Sequence, residues 1–107
     1  MTDSIKKVRI YEKVSTNFPD IFAAVNNLGE TIRSSGPLDE KTTQLIQLAA
    51  AAAGQSEGSV HSHTRRALKA GASREEIEHS LLLLISVIGF PNTAAALSWA
   101  YDVIENG

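Results

Sequence analysis

Cysteine is absent from the 107 residues. Its absence excludes disulfides, thiolate nucleophiles and cysteine-ligated metals. Charge of one sign is also missing: 10 Lys and Arg face 12 Asp and Glu, for a net charge of −2. Nucleic acid and anionic membrane surfaces select for basic proteins, so neither is expected as a partner. No long hydrophobic run occurs. The bulkiest, Leu81 to Ile85, falls far short of the roughly 20 apolar residues that span a bilayer. The stretch Ser4 to Lys13 is charged throughout and has no apolar core of a signal peptide. A cytoplasmic location is expected. Proline is scarce, at three residues, and no alternation of apolar and polar residues long enough for a strand is found.

What is present points to helices. A single domain over 1–107 is expected, with 1–17 as an N-terminal arm or short helix. Ile5, Val8, Tyr11 and Val14 recur every three residues after Ser4. Met1 to Asp3 reads as a frayed end. Pro19 suits the first turn of a second helix, on which Ile21, Phe22, Val25, Leu28 and Ile32 share a face. The stretch Ser34-Ser35-Gly36-Pro37 stops it. Asp39 is a good N-cap for a third helix that runs through Ala49 to Ala53 and ends at Gly54. Its alanines leave room for another helix to approach closely. A fourth helix, about Ser56 to Ala70, has Val60, Thr64, Ala67 and Leu68 on its apolar face and Gly71 just beyond its end. Ser73-Arg74-Glu75-Glu76 has the spacing of a capping box. The fifth helix it opens, about Arg74 to Ile88, is apolar all round in its second half. Such a helix needs burial on every side, which a subunit interface supplies. Gly89-Phe90-Pro91 ends it, and Asn92 caps a last helix with Ala96, Trp99, Ala100, Val103 and Ile104 as its stripe. The expected fold class is all-α, with five or six helices, self-associating.

The candidate chemistry lies between Gly54 and Gly71. On a helix, Ser56, Ser59 and His63 fall within an arc of roughly 60°. His61, two residues from His63, points to nearly the opposite side. The two histidines are therefore not a chelating pair, and neither a metal nor another cofactor is expected. Ser59 and His63 at i, i+4 are placed to hydrogen bond. A local role suits the same residues: Ser56 as N-cap, Glu57 complementing the helix dipole, Ser59 satisfying a first-turn amide, and His63 as a satisfied core histidine. Arg66, three residues after His63 and on its side, is the better candidate among the basic residues for anchoring a substrate carboxylate.

The layout from Gly36-Pro37-Leu38-Asp39-Glu40-Lys41-Thr42 through the Leu-Ile-alanine helix and His63-Thr64-Arg65-Arg66-Ala67-Leu68-Lys69-Ala70-Gly71 to Gly89-Phe90-Pro91 resembles the carboxymuconolactone decarboxylase / alkylhydroperoxidase D (AhpD-like) family. The resemblance covers about Phe18 to Glu105. It implies an all-α fold on a helical-hairpin core, assembled as a homotrimer or hexamer. The redox branch of that family uses a Cys-x-x-Cys pair, a histidine four residues on and a glutamate on the preceding helix. By spacing these positions fall on Ser56, Ser59, His63 and Gln44. Serine forms no disulfide, and the Gln44 amide accepts no proton at neutral pH.

Three functions follow as expectations. The first is a cofactor-free decarboxylase, lyase or isomerase acting on a small carboxylated metabolite. There His63 is the acid/base, Gln44, Ser56 and Ser59 are hydrogen-bonding groups, and Arg66 binds the substrate. The second is a family member that binds a ligand or assembles without catalysis. The third is a peroxidase-related antioxidant protein of the alkylhydroperoxidase type, disfavoured by the missing cysteines.

Overall fold

The structure is a computed structural model that describes residues 3–106, with side chains from residue 10 onward. It is all-helical. The order is α1 (Asp3–Asn17), α2 (Pro19–Ser34), α3 (Glu40–Ala53), α4 (Glu57–Lys69), α5 (Arg74–Leu82), α6 (Ile85–Ile88) and α7 (Phe90–Asn106). Two compact units divide the chain, residues 1–38 and 39–107.

In the first unit α1 and α2 pack on each other. The expected frayed residues Met1 and Thr2, and the side chains of Ile5 and Val8, lie outside the described residues. α1 is a full 15-residue helix rather than a short one. Pro19 opens α2 at a position where no backbone N–H is needed. On the apolar face of α2, Ile21, Val25, Leu28 and Ile32 are exposed and Phe22 is half-buried.

The second unit is built on the antiparallel pair α3–α4, with α7 packed against both and α5 closing on α3 and α7. Its core is Leu48, Ala52, Val60, Ala67, Ala72, Ile77, Leu81, Ala96 and Ala100. Alanine on each of α3, α4 and α7 lets the helix axes come close, and the longer Leu48, Ile77 and Leu81 fill the space between them. Leu68, expected on the apolar face of α4, is exposed instead.

Local signals place the helix ends. The Asp39 side chain accepts from the Thr42 backbone N–H at 2.7 Å, which holds its carboxyl below the usual range. Ser73 and Glu76 form the reciprocal capping box, at 3.0 and 2.9 Å. The bond from the Ser73 N–H and the Lys41 ammonium at 2.9 Å both hold the Glu76 carboxyl low. After α4, Gly71 takes φ 99°. The N–H of Ala72 then bonds the Ala67 carbonyl and that of Gly71 the Leu68 carbonyl, which is a Schellman closure.

Gly54 ends α3 as expected, as its C-cap, with φ −79°, and the left-handed position falls on Gln55 at φ 55°. The same Schellman pair forms there, from Ser56 N–H to Ala51 and Gln55 N–H to Ala52. Two expectations are corrected. The expected fifth helix breaks at Leu83–Leu84 into α5 and the single turn α6. Its apolar second half is not enclosed within the chain: Leu82, Leu83, Ile85 and Val87 are exposed. Finally, α7 starts at Phe90, so Asn92 lies inside its first turn and donates to the Ile88 carbonyl. Proline at the second position of α7 is what permits this early start.

A non-glycine residue in the left-handed region carries about 1 kcal/mol of strain. Gln55→Gly is therefore expected to stabilise the chain by up to about 1 kcal/mol, raising Tm by roughly 4–8 °C in a chain of this size. Thermal denaturation followed by circular dichroism checks it.

Candidate functional site

α4 is gripped by α3 on one side and α7 on another. Its side chains are dealt to these neighbours at about 100° per residue. His63 goes to α3. Its Nδ1 lies 2.9 Å from Gln44 Oε1. Gln44 is 1% exposed, whereas His63 is half-buried. The other end of the Gln44 amide, Nε2, donates to Glu40 Oε1 at 3.4 Å. This contact orients the amide. A carboxylate only accepts, so the NH2 end must face Glu40 and the carbonyl end must face His63. The imidazole therefore donates its Nδ1–H to Gln44. In the neutral ring, the lone pair then sits at Nε2.

His61 goes to α7. It is 2% exposed, and its Nε2 is 3.2 Å from Asp102 Oδ2 and 3.9 Å from Glu57 Oε2. The two histidines thus serve separate groups, as expected from their spacing.

The remaining candidates are placed less directly. Ser56 is the N-cap of α4, with extended φ and ψ, and its hydroxyl makes no capping hydrogen bond. It thus holds the expected N-cap position without a side-chain cap. Ser59 lies one turn before His63 inside the helix, so the two share a face. Both serines are half-buried. Arg66 is exposed, in the last turn of α4 with Lys69, where cations also complement the helix dipole. Gln44 and His63 are brought into contact, and Ser59 is aligned with His63. Arg66 lies one turn further along α4. Sequence reasoning passed over Glu40 and Asp102. Glu40 was legible as the residue one turn before Gln44 on the same helix face. Asp102 was not, because it reaches His61 across 41 residues of sequence.

In this α-helical hairpin a buried amide on α3 contacts a half-buried histidine on α4, and the sequence has no cysteine. Residues 19–102 match the carboxymuconolactone decarboxylase family, and the chain belongs to that family. It is 32% identical over 92 residues to the uncharacterized protein MJ1511 of Methanocaldococcus jannaschii, an alignment that covers 86% of each chain. It is also similar to the crystal structure of apo-lpg0406, a carboxymuconolactone decarboxylase family protein from Legionella pneumophila. That likeness has a TM-score of 0.83 and 25% identity, and covers 95% of this chain and 91% of the other.

Removing the amide leaves the Nδ1–H without its buried acceptor. Gln44→Leu is expected to cost roughly 1–3 kcal/mol of stability. Gln44→Glu keeps an acceptor for the Nδ1–H but loses the donor to Glu40 and sets two carboxylates against each other, so it should also destabilise the chain. Urea denaturation of the three proteins measures the difference, and equal midpoints would show that the bond contributes nothing.

Proposed function

We propose that the chain is a cofactor-free lyase or isomerase of the decarboxylase type, with His63 as its acid/base and a small carboxylated metabolite as substrate. The observation that supports this reading is the 2.9 Å bond from His63 to a buried Gln44 carbonyl. A neutral acceptor holds the ring in both protonation states without adding charge, so the imidazole can both take and give a proton at Nε2. In a decarboxylation the bond between ring carbon and carboxylate breaks, and its electron pair moves into a conjugated carbonyl. CO2 leaves, and protonated His63 supplies the proton to carbon. Solvent then restores the histidine. Ser56 and Ser59 are the hydrogen-bonding groups along the same side of α4. Arg66 anchors a carboxylate that is not lost. A glutamine and two serines in place of an acid and a thiol pair disfavour peroxide reduction, for which the chain has no cysteine.

The exposed apolar residues of α2 (Ile21, Val25, Leu28, Ile32) and of the α5–α6 segment (Leu82, Leu83, Val87) support self-association as a homotrimer or hexamer. No described helix is long and apolar enough to cross a membrane, and a cytoplasmic location remains part of the proposal.

Carboxymuconolactone, the compound in the family's name, is the first substrate to assay, by CO2 release. Wild type and the surface control His79→Gln should turn over alike, and His63→Gln should be slower by about 100-fold or more. Equal turnover in His63→Gln contradicts the acid/base role. Ligand binding without turnover in wild type favours the non-catalytic reading. Peroxide consumption with a thiol reductant should be blank, and consumption above the reductant alone would revive the antioxidant reading.

A further inference from the structure

The acid/base reading makes no use of His61, which is buried whereas His63 is half-buried and His79 exposed. Its surroundings are specific. Glu57 stands one turn before it on α4, at i, i+4, so both side chains leave the helix on one face. Asp102 comes from the C-terminal third of α7, the helix packed against α4. One ligand atom from each of Glu57, His61 and Asp102 lies within 4.8 Å of the other two. The imidazole Nε2 and Asp102 Oδ2 are already 3.2 Å apart. Around a tetrahedral ion with bonds near 2.1 Å, neighbouring ligand atoms are separated by about 3.4 Å. The set therefore needs to close by at most about 1.4 Å, through rotamer adjustment of the two carboxylates.

Charge points the same way. Two carboxylates are drawn together around one imidazole. A divalent cation seated there would meet one nitrogen and two carboxylate oxygens, a donor set suited to it. The burial is graded. His61 is 2% exposed, while the side chains of Glu57 and Asp102 are 19% and 55% exposed. A cation can thus enter past Asp102, meet a fixed nitrogen at the bottom and keep a solvent-side position for water. The nitrogen and two oxygens suit zinc, cobalt or manganese better than calcium or magnesium, which favour all-oxygen shells.

We propose that Glu57, His61 and Asp102 form a site for a divalent transition-metal cation, carried on α4 and α7 and separate from the His63–Gln44 pair. The site is formed by one copy of the chain. It reverses the expectation that no metal binds, because the missing ligands for His61 come from its own helix and from α7 and not from the other histidine.

The test is Zn2+ binding to the metal-stripped full chain by titration calorimetry, with Co2+ absorption as a second readout. Wild type should bind one equivalent. Asp102→Asn changes an exposed residue and so leaves folding intact. It should weaken binding by at least about tenfold, the scale seen even for residues outside the ligand shell. Glu57→Gln should do likewise, and His79→Gln should leave binding unchanged. The proposal is overturned if wild type shows no binding. It is also overturned if Asp102→Asn and Glu57→Gln bind as wild type does, or if His63→Gln abolishes binding while Asp102→Asn keeps it.

Discussion

The position of α4 between α3 and α7 is the constraint on which the second unit depends. A helix packed on two sides must present small or apolar residues to both, and Val60, Thr64 and Ala67 do so with no exposed surface. Thr64 satisfies its buried hydroxyl within the helix, by donating to the Val60 carbonyl at 2.7 Å. The same packing sends polar side chains only two residues apart to different neighbours. His63 meets an amide on α3 and His61 meets a carboxylate on α7. One short helix thereby carries two chemically distinct environments.

The amide at residue 44 decides what the first environment can do. A carboxylate there would pair with imidazolium and favour the charged ring. Gln44 accepts the same hydrogen bond without the charge, and its own orientation is set by Glu40 one turn earlier. The sequence has no cysteine, so no thiol pair forms there, and the proposed function rests on proton transfer alone. The chemistry that remains rests on how firmly one ring is held.

Much of the fold was legible because its ends are written in local chemistry. Asp39, the Ser73–Glu76 box and Gly71 each solve a helix-end problem within a few residues, and each does so in the structure. The break at Leu83–Leu84 was not legible, since leucine favours helix and nothing in the run marks a stop. Gln55 was missed for the opposite reason. A glycine stood next to it, and the left-handed turn fell on the residue without the conformational advantage. In the candidate site, helix periodicity separated His61 from His63 correctly. It could not supply Asp102, which only the packing of α7 on α4 brings near. The apolar stripe of α2 was legible as a stripe, yet in the chain its residues are exposed, so periodicity revealed the face and not what covers it.

The central claim is that Gln44 fixes the His63 ring with its proton on Nδ1 and its lone pair on Nε2. Two-bond proton–nitrogen correlation spectra of histidine-labelled protein, taken above the pH at which the ring is charged, measure this directly. The account predicts a single tautomer for His63, with Nδ1 protonated and Nε2 unprotonated, that is lost in Gln44→Leu. A His63 ring protonated on Nε2, or one averaging between the two tautomers in the wild-type chain, would contradict it.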